Sequence, residues 1–94
     1  MFSWRDPTGA RHRRRGWLRN ISGGGVYLSA ANAPPKGTLI GFSVSLPFFF
    51  VGSRLAIRGV AKVVRVGADD PSEGREGFAA AFKTFNLRAL STGP

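Results

Sequence analysis

The chain has 94 residues, of which 43% are hydrophobic, and it contains no cysteine. These numbers predict one small domain and exclude both a disulfide and a thiolate metal site. Fourteen Lys and Arg residues against five Asp and Glu residues give a net charge of +9, which favours an anionic partner. Apolar runs fall short of the ~20 residues of a membrane helix, and the first residues lack a signal peptide's apolar core, so we expect a cytoplasmic protein with no membrane span.

Residues 1–16 are predicted to form a basic N-terminal strand or arm. Phe2–Arg5 has the composition of a short strand, and Asp6–Gly9 has the composition of a turn. The run that follows is rich in arginine, at Arg11, Arg13, Arg14 and Arg15. The planar guanidinium group binds phosphate through two hydrogen bonds and stacks on nucleobases, so this run favours nucleotide recognition. A solvated basic arm is the alternative.

Residues 16–21 and 26–28 are predicted to be two strands joined by a turn. Strict alternation in the first of them would place Trp17, Arg19 and Ile21 on one face, with Leu18 and Asn20 on the other. The turn contains three consecutive glycines, Gly23, Gly24 and Gly25. Glycine allows a positive φ and lets a ligand or another chain approach the backbone closely.

Three further strands are predicted at residues 39–46, 55–66 and 77–82. The first alternates apolar and small residues, and the second contains Gly59, where a bulge or bend would help a barrel close. Residues 83–94 have some helical spacing and are predicted to be a tail or a short C-terminal helix. Short strands separated by turn signals predict one all-β domain over residues 1–94, either a small antiparallel barrel or a sandwich, with its main body at residues 17–82.

The spacing Asn20-x-Ser22-x-x-Gly25, followed directly by an apolar strand, resembles a signature motif of the PilZ domain, a small split β-barrel that binds cyclic di-GMP in bacteria. Further segments at residues 35–37, 59–65 and 77–82 follow in the order of that family. The resemblance covers roughly residues 17–85. It implies an all-β, six-stranded antiparallel β-barrel of the split type. It also implies a non-enzymatic sensor or adaptor in second-messenger signalling, with cyclic di-GMP as ligand and no other cofactor.

The resemblance also implies particular ligand contacts. Asn20, Ser22 and Gly25 would contact one guanine and the neighbouring phosphate, with Gly23 and Gly24 beside them. The family's Arg-x-x-x-Arg segment lies further upstream than any arginine pair of this chain, so the chain either starts late or is divergent. The local substitutes are Arg11, Arg13, Arg14 and Arg15.

Three other functions are alternatives for this sequence. A degenerate module without a nucleotide ligand would act through protein contacts, and the apolar tip Phe48, Phe49 and Phe50 would then contact a partner or a second copy in a homodimer. The alternative role of this tip is a hydrophobic plug over the open end of the barrel. A small basic barrel binding single-stranded nucleic acid would stack bases on Trp4, Trp17 and Tyr27. An enzyme comes last, because His12 is the only histidine and no metal-ligand or P-loop pattern is present.

Overall fold

The computed structural model describes residues 1–47, 53–70 and 74–91. All the secondary structure in these ranges is β-strand, which confirms the all-β class. The strands are β1 (Phe2–Arg5), β2 (Arg11–Arg14), β3 (Trp17–Ile21), β4 (Gly25–Ala30), β5 (Leu39–Pro47), β6 (Ser53–Asp70) and β7 (Arg75–Ser91). The predicted apolar tip Phe48–Phe50 lies outside the described residues.

The seven strands form one antiparallel sheet with the order β2-β1-β5-β6-β7-β4-β3. The sheet curls into a half-barrel, so the expectation of a closed six-stranded barrel is not met. The additional strand is the arginine-rich run. Residues 11–14 pair with β1 along its whole length and so form an edge strand of the sheet.

The expected short C-terminal helix is wrong. Strand β7 continues to Ser91, and its residues 84–91 pair with residues 53–60 of β6. The physical reason lies in β6, which is 18 residues long and offers a continuous row of backbone donors and acceptors. The hydrogen bonds that β7 forms with this row stabilise a strand more than the weak helical spacing of the C-terminal segment would stabilise a helix. Gly59 permits the pairing, because a Cβ atom there would overlap the carbonyl oxygen of Thr84.

The core lies on the concave face of the curled sheet. The ring of Phe2 meets the ring of Phe78 edge to face, with their centroids 5.1 Å apart. These residues belong to β1 and β7, which are not neighbours in the sheet. Their side chains can touch only because the sheet is curved. Both are buried, with Ile40, Val63 and Ala80 beside them. Burying side chains of this kind stabilises the fold by ~1.5–3 kcal/mol each.

The opposite face of the sheet, here called the outer face, carries the side chains that alternate with the core positions. On β1 and β5 these include Ser3, Gly41 and Ser43, which are small. On β2 and β6 they include Arg13 and Arg58. The outer face is therefore strongly basic. In the described ranges no helix exists that could cross a membrane.

Candidate functional site

The segment between β3 and β4 is a tight turn held by local hydrogen bonds. The backbone N–H of Ser22 donates to the carbonyl of Gly25 (2.9 Å), and the N–H of Gly24 donates to the Ser22 hydroxyl (3.3 Å). The carbonyl of Gly24 accepts a hydrogen bond from the N–H of Phe82, which anchors the turn to β7. Just before the turn, the Asn20 side chain accepts from the following backbone N–H (2.8 Å). The Asn20 and Ser22 side chains are exposed at this end of the sheet.

A bulge at Arg19 determines which residues of β3 face outward. The pairing with β4 shifts by one residue between Leu18 and Asn20, so Arg19 is one extra residue on β3. Asn20 consequently lies opposite Tyr27 on the outer face, while Ile21 packs against the core beside Leu18. The predicted alternation, with Ile21 and Leu18 on opposite faces, is wrong because one inserted residue reverses every face that follows it.

A second bulge, at Val64 on β6, turns an arginine outward. Val63 lies opposite Ala80 and is fully buried. In a regular ladder the next core position would be Arg65. The register instead shifts between Val63 and Arg65, so Arg65 lies opposite Ala79, and its side chain is exposed. The bulge thus replaces an unfavourable buried charge with an outward-facing guanidinium group.

The two bulges place one row of residues across four strands of the outer face. Asn20 pairs with Tyr27, Tyr27 with Ala79, and Ala79 with Arg65. Neighbouring strands lie ~4.8 Å apart, so the backbones of this row span ~14 Å. Above it lies a groove of about 560 Å³, here called the turn groove. Its lining includes Ser22 and several small residues, namely Gly24, Gly25, Ala79, Ala80 and Ala81.

The turn groove is electrically positive. Arg19 and Arg65 both line it, and among the residues that the structure describes no carboxylate does. Two guanidinium groups around a floor of small side chains suit an anion that is flat and extended, because each guanidinium can bind a phosphate through two parallel hydrogen bonds.

The three glycines of the turn have different roles. None of them has a positive φ, so the left-handed conformation that glycine would permit is not used here. A Cβ atom at Gly25 would overlap the carbonyl oxygen of Ala80, so this glycine is required by the pairing of β4 with β7. A Cβ atom at Gly23 or Gly24 would meet nothing within 4 Å. The packing of the described residues therefore does not require glycine at those two positions.

The arginines of the N-terminal run are not brought to the turn groove. Arg11 and Arg13 lie on the outer face of β2, at the other end of the strand order from β3. The guanidinium of Arg14 lies 5.8 Å from the ring centroid of Trp4 and donates to the carbonyl of Arg13 (2.9 Å). Arg15 lies in the connection between β2 and β3 and is exposed. The arginines beside Asn20 are Arg19 and Arg65 instead.

Tyr27 supplies an aromatic wall to the groove. Its hydroxyl end lies directly over Gly77, where a Cβ atom would overlap it. The ring is partly exposed, so it offers a face on which a purine can stack. The two tryptophans are engaged elsewhere. Trp4 stacks on His12 with centroids 4.9 Å apart, and the guanidinium of Arg75 lies 4.4 Å from the ring centroid of Trp17.

The single histidine is part of a structural contact at the first turn. His12 Nε2 lies 2.8 Å from a carboxylate oxygen of Asp6. The hydroxyl of Thr8 also donates to Asp6. The Thr8 hydrogen bond, followed by the His12 contact, lowers the pKa of Asp6 to about 2. Across the described segments, no group of three or more His, Cys, Asp or Glu side chains could hold a metal ion.

The turn could therefore be predicted from the sequence, whereas much of the groove around it could not. Arg65, Val64 and the alanines of β7 come from strands more than 35 residues further along the chain. Arg65 stands within a segment that carries the family resemblance, yet its outward direction depends on the bulge at Val64. No pattern in the segment Val63-Val64-Arg65 indicates that a bulge forms there. Arg19 could have been identified from its position directly before Asn20.

Comparisons with protein-family models, with curated proteins and with solved structures find no match to this chain.

Proposed function

We propose that this protein is a non-enzymatic sensor or adaptor that binds cyclic di-GMP in the turn groove. The observation that supports this best is the convergence of Asn20, Tyr27, Arg19 and Arg65 on one positive groove beside the exposed turn. The chain's resemblance to PilZ domains in the Asn20-x-Ser22-x-x-Gly25 spacing supplies the ligand's identity.

Each group has a chemical role in the proposed complex. The Asn20 carboxamide can both donate to and accept from the edge of a guanine. The Ser22 hydroxyl hydrogen-bonds the adjacent phosphate. Arg19 and Arg65 neutralise the two phosphate charges of the ligand, each through a two-handed contact. Tyr27 stacks on a purine face, which adds ~1–3 kcal/mol for a base held on an aromatic ring.

The ligand would link strands that are only indirectly joined in the sheet. Arg19 lies on β3, an edge strand, and Arg65 lies on β6, three strands away. A ligand held by both side chains restrains β3 against the rest of the half-barrel. This restraint changes the surface offered to a protein partner, and such a change is how an adaptor without catalytic groups transmits a signal.

Calorimetric titration with cyclic di-GMP, beside GTP and a short single-stranded oligonucleotide, tests the proposal. We expect micromolar binding of the cyclic dinucleotide alone. Ser22→Ala and Arg65→Gln should each raise Kd roughly 10- to 100-fold, because hydrogen bonds to charged groups contribute ~1.5–3 kcal/mol. Asn20→Ala should raise Kd roughly 2- to 10-fold for each hydrogen bond lost, because a bond to a neutral guanine contributes ~0.5–1.5 kcal/mol. Lys36→Gln is the matched control, since it removes one exposed positive charge from a loop outside the groove.

The outcomes separate the candidate functions. Oligonucleotide binding that weakens steeply with salt would point to nucleic acid instead. No binding to any of the three would leave the module that works by protein contact. Cyclic di-GMP binding that is weakened equally by Arg65→Gln and Lys36→Gln would place the ligand outside the turn groove and contradict the proposal.

The glycines provide a steric test with its own control. Gly24 lines the groove, Gly23 does not, and a Cβ atom at either position meets nothing in the protein. Gly24→Ala should therefore keep the wild-type stability and lose affinity for cyclic di-GMP, while Gly23→Ala should change affinity less. Equal affinity in the two variants would show that the ligand does not approach the backbone of Gly24.

A further inference from the structure

A second positive depression lies on the outer face, away from the turn groove. It is formed by strands β1, β2, β5 and β6 and has a volume of about 320 Å³. Three arginines line it, Arg11 and Arg13 from β2 and Arg58 from β6. We call it the arginine trough. It shares none of its lining residues with the turn groove.

Strand register explains how the three arginines reach one depression. Ser3 of β1 pairs with Arg13 on one side and with Gly41 on the other. Ser43, two residues after Gly41 and on the same face, pairs with Arg58. The long side chains of β2 and β6 therefore stand on either side of a floor made of Ser3, Gly41 and Ser43, which are too short to fill the space between them.

The arginines of the trough line one depression, and the described residues beside them provide no carboxylate to offset their charge. The contact between His12 and Asp6 lies outside the trough. Arg13 donates to the thioether sulfur of Met1 (3.4 Å), which is a weak acceptor. Arg11 also lies directly opposite Arg5 in the β1–β2 pair, an arrangement of like charges that destabilises a sheet.

We infer that the arginine trough is a binding site for a phosphate group carrying two or more negative charges, on a small phosphorylated metabolite. Three guanidinium groups around a shallow floor match the several oxygens of such a group, and binding would neutralise part of their positive charge. This site is separate from the proposed cyclic di-GMP site and does not depend on it.

The lining favours a small phosphorylated ligand over a nucleic-acid strand. Single-stranded nucleic acid is held by aromatic side chains on which its bases stack, together with positive charge. The aromatic residues that line the trough, Phe2 and Phe42, are 1% and 5% exposed, and they point into the core. The trough therefore offers hydrogen-bond donors for phosphate oxygens and no ring face for a base.

Titration with inorganic pyrophosphate at an ionic strength of about 0.15 M tests the site, because at that salt concentration weak surface attraction is screened. We expect saturable binding with one site per chain. Arg13→Gln and Arg58→Gln should each weaken it about tenfold or more. Arg58→Lys should retain part of the affinity, since it keeps the charge and loses the two-handed geometry. Arg65→Gln, in the turn groove, should change it less than about twofold.

Three further measurements test whether pyrophosphate binds in the trough. Pyrophosphate should raise the thermal midpoint of the wild-type protein and not that of Arg58→Gln. Binding to phosphatidylglycerol vesicles, and separately to a short oligonucleotide, should not be weakened specifically by Arg13→Gln or Arg58→Gln. Absence of saturable pyrophosphate binding, equal weakening by Arg65→Gln, or a dependence on Arg13 and Arg58 seen only with vesicles or oligonucleotide would overturn it.

Discussion

The glycine triplet allows a test of which of its residues the pairing of the strands requires. In Gly25→Ala, the new methyl group would overlap the carbonyl oxygen of Ala80 on the neighbouring strand. Relief requires β4 and β7 to separate where six consecutive residue pairs join them. Overpacking of this kind costs ~1–3 kcal/mol. A domain of 94 residues has ~5–14 kcal/mol of stability in total, so the loss is a large fraction of it.

Gly24→Ala is the matched control for that prediction. It adds the same methyl group one residue away, where nothing lies within 4 Å and φ is not positive. Its stability should equal that of the wild type or exceed it by ~0.4–1 kcal/mol, because alanine restricts the unfolded chain.

Urea unfolding followed by tryptophan fluorescence measures both variants. We expect a lower midpoint for Gly25→Ala at an unchanged m-value, together with a thermal midpoint at least ~4 °C lower. If Gly25→Ala proves as stable as Gly24→Ala, the close approach of β4 and β7 at this position is wrong, and with it the assignment of Gly25 to the fold.

Three other outcomes follow from the structure. Phe78→Ala should lower the free energy of unfolding by ~3–5 kcal/mol in urea titrations, because it empties a fully buried position. The hydrogen bond from Thr8 is the main cause of the lowered pKa of Asp6. The ionised Asp6 carboxylate therefore contributes fully to the free energy of unfolding above pH ~4, and this contribution is lost as the pH falls towards 2. Asp6→Asn should flatten the plot of unfolding free energy against pH, measured between pH ~5 and pH ~2. Gly77→Ala should displace the ring of Tyr27 and weaken the proposed binding of cyclic di-GMP in calorimetry, with near-native circular dichroism.

Much of the architecture could be predicted from local patterns. Residues 39–46 alternate between apolar and small side chains, and they form β5 with its apolar side in the core. The turn at residues 22–24 and the strands beside it were also predictable, because glycine, serine and asparagine interrupt two apolar runs. The continuation of β7 to Ser91 was not, since residues 83–91 become a strand only by pairing with the long strand β6.

What the sequence by itself determined is the all-β class, the positions of most strands and the polar turn, because each of these depends on neighbouring residues. Only the tertiary structure decided which arginines stand beside that turn. The two bulges, at Arg19 and Val64, each insert one residue into a ladder and reverse the faces that follow, so they bring Asn20 and Arg65 to the outer face. A bulge arises from the fit between two strands distant in the chain, and no pattern within either strand encodes it.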